Sequence, residues 1–144
     1  MRVDFYQLSQ TSVEGALPQL AVKMREAGAR VLVVSADEAQ LARISDALWA
    51  VKDNFLAHAP AGGANDARQP ILLTDRLNAA NGATFLALAD GQWRDGATAF
   101  DRVFLLFDRS TIDDARATWR SLDGQDGLER NYWQQEEGRW VKAG

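Results

Sequence analysis

Arg30-Val31-Leu32-Val33-Val34 is an unbroken, largely β-branched run set between two stretches of helical periodicity. Such a run suits a strand buried on both faces, the kind found in parallel sheets covered by helices. Before it, Leu17, Leu20, Ala21 and Met24 recur at helical spacing and Gly28 supplies a stop. Pro18 suits only a first turn, so this helix is expected to start near Gly15 to Leu17. After the run, Ser35-Ala36-Asp37-Glu38 can cap a second helix with the stripe Leu41, Ile44, Leu48 and Val51. With Val3 to Leu8 as an opening strand the order is βαβα, the pattern of an α/β protein.

Further along, Ala59 to Pro70 holds Gly62-Gly63 and two prolines and reads as a loop. Pro70 to Thr74 and Thr84 to Leu88 read as strands, with Asn81-Gly82 as a turn between them. Val103 to Phe107 is another buried strand. Ser110-Thr111 then caps a helix with the stripe Ile112, Ala115, Trp119 and Leu122, and Asp113 and Asp114 sit in its first turn, where the helix dipole favours them. From Leu128 onward the apolar spacing fits neither helix nor strand, so this part is expected to be extended, with a turn near Gly138. The fold class expected is α/β: a single three-layer domain over residues 1–144, its mostly parallel sheet flanked by helices, with 128–144 as an extended C-terminal tail.

Composition narrows the function. A chain of 144 residues with 47% hydrophobic and 25% charged residues has the make-up of one globular domain, not of a disordered or collagen-like chain. There is no cysteine, which removes disulfides, thiol nucleophiles and thiolate metal sites. The net charge of −4 argues against broad binding to the nucleic-acid backbone, which needs a positive field. No run of 18 apolar residues occurs, so no membrane span is expected. Met1-Arg2-Val3-Asp4-Phe5-Tyr6 reads as a strand and not as a signal peptide, and a cytoplasmic location is the expectation.

No catalytic constellation emerges. The first strand-to-helix turn, Leu8-Ser9-Gln10-Thr11-Ser12-Val13-Glu14-Gly15, has one glycine and no lysine, and no GxGxxG occurs. Gly62-Gly63 lies in a proline-bounded loop and makes no phosphate cradle. His58 is the only histidine, so no two-histidine metal site can form within the chain; it reads as a loop residue or a satisfied interface imidazole. Asp113-Asp114 reads as a cap and Glu136-Glu137 as a solvated turn, since adjacent residues do not face one another on a helix. Neither a metal nor a cofactor is expected, and the chain is not expected to be catalytic by itself.

The aromatic and cationic residues say more. Of five tryptophans, Trp119 lies on a helical stripe and reads as core. Trp133 and Trp140 fall in the charged closing segment, where docking onto the domain and a binding surface are both open. Arg116 and Arg120, four apart, share a helix face beside Trp119. They either receive a carboxylate-bearing peptide or pair with Asp113 or Asp123. Trp49, with Phe55-Leu56 just after it, either closes the core or forms an exposed patch for a partner protein.

Taken in order, these segments resemble the chi subunit family of bacterial DNA polymerase III. The resemblance rests on Phe5-Tyr6-Gln7-Leu8, Gly28 to Val33, Asp37 to Leu41 with Asp46-Ala47-Leu48-Trp49, and Phe55-Leu56-Ala57-His58. It continues through Pro70 to Leu73, Asn81-Gly82-Ala83, Phe107-Asp108, Ala115 to Arg120, Tyr132 to Gln135 and Gly138-Arg139-Trp140. Each piece is short; their order and spacing carry the likeness almost end to end.

The resemblance implies a Rossmann-like fold without a nucleotide site, and a non-catalytic subunit of the DNA-directed DNA polymerase complex. Such a subunit joins the clamp loader, through the psi subunit or a diverged equivalent, to the acidic C-terminal tail of single-stranded-DNA-binding protein (SSB), and meets DNA only indirectly. By position, the psi surface would comprise Trp49, Phe55 and Leu56, with a spacing one residue shorter than in the best-known members. The SSB-tail site would comprise Arg116, Trp119 and Arg120, with Leu105 and Phe107 near its apolar part; Ile112 stands where some members have a lysine. The rival reading is a Rossmann-like small-molecule or nucleotide-binding protein. A second rival is direct binding of single-stranded DNA with the tail aromatics as stacking platforms, against which the net charge argues.

Overall fold

The computed structural model describes residues 1–52 and 55–143. In chain order the elements are β1 (Arg2–Gln7), α1 (Val13–Glu26), β2 (Val31–Val34), α2 (Glu38–Trp49), β3 (His58–Pro60), β4 (Ile71–Thr74), β5 (Phe85–Leu88), β6 (Arg102–Phe107), α3 (Ile112–Ser121), β7 (Glu129–Glu136) and β8 (Arg139–Ala143). The strands form one eight-stranded sheet in the order β3-β4-β2-β5-β6-β1-β7-β8. All neighbours run parallel except the β7–β8 hairpin. This is the three-layer α/β arrangement that the sequence predicts.

Two apolar cores sandwich the sheet. One gathers Leu17, Leu20 and Met24 of α1 and Ile44 and Leu48 of α2 over Tyr6, Val33 and Leu106. The other gathers Ala115 of α3 and Leu122 over Val3, Phe5, Leu105 and Phe107. Central strands β2 and β4 are buried throughout, as their continuous apolar runs require.

Local chemistry sets the helix ends. Asp37 caps α2, its Oδ1 accepting from the Ala39 and Gln40 amides at 3.0 and 3.3 Å. Ser12 caps α1, its Oγ accepting the Gly15 amide at 3.2 Å. That cap starts α1 at Val13, earlier than Pro18 suggests, and places the proline inside the helix. The proline forfeits one intrahelical bond there and is buried. Thr111 holds the N-cap position of α3 but makes no side-chain cap bond. Its hydroxyl instead accepts the Asp108 amide at 3.2 Å.

Two further expectations change. The Ala59 to Pro70 segment is not wholly loop: β3 takes His58–Pro60 and a 3-10 turn takes Asp66–Arg68. The segment after Leu128 is extended, as expected, but it forms two paired strands of the sheet and not a C-terminal tail. Strand β7 packs aromatics on both faces, so its sequence lacks simple alternation. Tyr132 lies beside Phe5 at 6.4 Å on one face, and Trp133 beside Tyr6 at 6.2 Å on the other. The turn falls at Glu137-Gly138, both with positive φ.

The loop after β5 is tied down in two places. Asp90 accepts both forks of Arg94 at 2.9 and 2.8 Å and the Ala36 amide at 2.9 Å. Burial alone would raise the Asp90 carboxyl, but these bonds and the Gln92 amide outweigh it and hold the pKa below the ordinary value. Gly91 has φ +74°, and a Cβ there would lie 2.6 Å from Thr111 Oγ1 and 2.9 Å from Thr111 Cβ. Gly91→Ala is therefore expected to cost about 1–3 kcal/mol of unfolding free energy in a urea titration. An unchanged midpoint would mean that this loop is not pinned against the start of α3.

Candidate functional site

Helix α3 exposes Arg116 and Arg120 on one face while Ala115 turns inward. Among the described residues neither arginine forms an ion pair; Asp123 is taken by Arg130 at 2.9 Å, and Asp114 accepts from Gln92 at 3.1 Å. Between the two arginines Trp119 is half-buried, edge-on to Phe5 at 5.1 Å and to Tyr132 at 5.7 Å. The Arg130 guanidinium covers the Trp119 ring at 3.9 Å and also donates to the Trp119 carbonyl. Burial raises the Tyr132 phenol, with Arg116 pulling the other way, so the hydroxyl stays protonated and donates to Gln7.

Arg116, Trp119 and Arg120 therefore come together at the surface. Leu105 and Phe107 do not join them there, because both are fully buried under α3. Phe107 meets Phe5 at 6.5 Å and Tyr132 at 5.7 Å and so supports the aromatic cluster from beneath. Two neighbours escaped the sequence reading. Arg109, just ahead of the helix, lines a cleft of about 630 Å³ with Gln7, Leu8, Asp108 and Ile112. Its place in sequence beside the cap was the available signal. Arg130 had none, since only the β7 pairing brings it to Trp119.

A second surface lies at the end of α2. Trp49 is 54% and Phe55 80% exposed, and they are the exposed large hydrophobic residues among those described. Their rings meet at 5.6 Å. Leu56 is buried and anchors the segment from below; Asp53 and Asn54, between the two aromatics, lie outside the described residues. Trp49 also rests on the His58 ring at 4.2 Å. His58 is a buried imidazole in β3, bonded to Ser45 Oγ and the Leu56 carbonyl at 2.8 Å each. It is not a loop residue, and both of its ring nitrogens are satisfied.

The crevice at the strand ends between β1 and β6 is where an α/β sheet would place a nucleotide, since the helices that follow these strands leave to opposite faces. Here the turn after β1 is already occupied from within. Gln135 Oε1 accepts the amides of Ser9, Gln10 and Thr11 at 3.0, 3.0 and 3.3 Å, and its Nε2 donates to Thr11 Oγ1 at 2.8 Å. The backbone donors that would face a phosphate thus hold β7 to the start of α1. Among the described residues no cluster of His, Cys, Asp and Glu stands ready for a metal, and no helix is long and apolar enough to cross a membrane.

The description of one protein family, DNA polymerase III chi subunit, HolC, matches the chain over residues 1–130. No curated protein matches the chain.

Proposed function

The chain belongs to the chi subunit family of DNA polymerase III, and from that membership we propose that this accessory subunit works as a two-sided adaptor. One side takes psi, or its diverged equivalent, on the Trp49-Phe55 surface with Leu56 behind it. The other takes the acidic SSB tail on Arg116, Trp119 and Arg120, with Leu105 and Phe107 holding the cluster from beneath. The observation that supports this reading is the placement of the two surfaces. Helix α2 packs in one core and α3 in the other, so the sheet separates them. Both partners can therefore be held at once.

The chemistry of each surface suits its partner. A large exposed aromatic pair is a costly surface in a free protein and a common anchor in an interface. An acidic tail with a terminal carboxylate needs guanidiniums, and Arg116 and Arg120 are exposed and unpaired among the described residues. Asp113 and Asp114 precede them on the same helix, so the attraction is moderate and strongly screened by salt.

The test is fluorescence anisotropy with a labelled peptide carrying the SSB acidic tail, at low and high salt. Saturable binding is expected, weakened by salt and reduced about tenfold by Arg116→Ala, the size of one charge-assisted hydrogen bond. Trp49→Ala should leave this affinity unchanged. Absence of binding at low salt would remove the SSB contact from the reading.

A further inference from the structure

On the sheet face opposite α3, a groove of about 720 Å³ runs between α1 and the β7–β8 hairpin. Four cationic side chains line it: Arg2 of β1, Lys23 of α1, Arg102 of β6 and Arg139 of β8. No described carboxylate lines it. The full chain carries a net charge of −4, so this concentration of positive charge is local and is made by tertiary contact alone.

Two of the cations are held in place. Asp4, fully buried beneath the groove, accepts from Arg2 Nε at 3.1 Å and from Arg102 Nε at 2.8 Å. Both arginines are thus gripped through Nε; the Arg102 guanidinium also lies over the Phe104 ring at 4.5 Å, and the Arg2 fork keeps its terminal nitrogens for a ligand. Their side chains remain 38% and 28% exposed. The opposing charges are Asp4 itself, Glu129 at 3.6 Å from Arg2, and Glu136 and Glu137 in the turn before Arg139.

The floor is aromatic. Trp133 and Trp140 are half-buried and line the groove with Tyr6. Tyr6 and Trp133 lie near-parallel at 6.2 Å, and Trp140 stands edge-on to Tyr6 at 4.9 Å. Trp133 is fixed further by its Nε1 donating to Asp4 at 3.1 Å. Along α1 the groove extends from Gly15 to Lys23, about 12 Å at the helical rise.

We propose that this groove binds a short stretch of single-stranded DNA, with the cations on phosphates and bases against the tryptophans. Cations beside ring faces are what a single strand needs when sequence is not read. An acidic peptide fits less well. Such a peptide would use the four cations but leave the Trp133 and Trp140 rings of the floor without a stacking partner, which bases supply. The proposal goes beyond the adaptor reading and uses none of its contacts.

The experiment titrates a fluorescein-labelled oligo-dT of about 20 nucleotides with the full chain, SSB being absent. Saturable binding is expected. With three to four phosphates neutralised the log–log salt slope is about −2 to −3, so affinity falls roughly twentyfold or more between 50 and 200 mM salt. Lys23→Glu with Arg139→Glu should reduce affinity at least about tenfold; both side chains are exposed and neither touches Asp4, so the fold is retained. Oligo-dT should quench tryptophan fluorescence, and less so in Trp140→Leu. The Arg116→Ala, Arg120→Ala pair should not change DNA binding, which separates this groove from the SSB-tail surface. The proposal is overturned by no binding at low salt, by salt-insensitive binding, by loss with the α3 variants but not the groove variants, or by full displacement with an equimolar Asp-rich peptide.

Discussion

Asp4→Ala is expected to lower the unfolding free energy by about 3 kcal/mol, and the melting temperature by roughly 6–12 °C. Asp4 is a charge in a central strand with no exposure. It is tolerated because Arg2, Arg102 and the Trp133 indole all donate to it. Arg2 and Arg102 are also register partners across β1 and β6. Like charges directly opposite repel, and Asp4 is the group that reconciles them. Truncation leaves both guanidiniums and one indole N–H without their shared acceptor. The lower end of the usual cost for breaking a buried pair applies, since both guanidiniums reach solvent. Urea titration measures the loss. In an Asp4→Ala background, Arg102→Leu should cost less than in the wild type, because the pair is already broken. A stability within about 0.5 kcal/mol of wild type would refute the clamp.

Trp49→Ala is expected to weaken psi binding about thirtyfold or more, the range of an interface anchor of at least 2 kcal/mol. Stability of the free protein should change little, since more than half of the ring is exposed. What it does cover is His58, whose hydrogen bonds run to Ser45 and Leu56 and not to the tryptophan. Phe55→Ala should be still closer to neutral for folding, with 80% of the residue exposed. Isothermal titration with psi, paired with thermal melts, separates the two effects. Full affinity for psi in the Trp49→Ala variant, or no binding of psi by the wild type, would refute the Trp49-Phe55 surface as the psi site. A large drop in melting temperature would instead make the pair part of the fold.

The strands at the centre of the sheet were legible because burial on both faces leaves a continuous apolar run. Val31–Val34, Ile71–Thr74 and Val103–Phe107 all show it. Helices α2 and α3 were legible through their stripes and acidic starts. The start of α1 was misread because Pro18 is a stronger local signal than Ser12, yet the Ser12 cap starts the helix ahead of the buried proline. Strands β7 and β8 were not legible as strands. They sit at the sheet margin, where one face meets α3 and the other a groove, and neither face has a uniform polarity.

For the candidate site, helical spacing placed Arg116 and Arg120 on one face beside Trp119, whose own stripe position read as core. It also placed Trp49 next to Phe55 and Leu56 along the chain. The resemblance put Leu105 and Phe107 near the apolar part of the SSB-tail site, and both lie buried beneath α3.

Sequence by itself determined the α/β order and the absence of cysteine chemistry and of a phosphate loop, because these depend on composition and on neighbours within a few turns of chain. It also determined the family likeness, which the order and spacing of short segments carry. Tertiary structure decided what depends on distant residues meeting. Gln135 reaches the turn after β1, Asp4 gathers Arg2 and Arg102, and Tyr6 lies beside Trp133 and Trp140. The second follows from the parallel pairing of β1 with β6 (Arg2 with Arg102); the first and third follow from the parallel pairing of β7 with β1 across some 127 residues (Arg2 with Glu129). No local pattern encodes that pairing, because the free energy that selects it comes from the aromatic burial it completes.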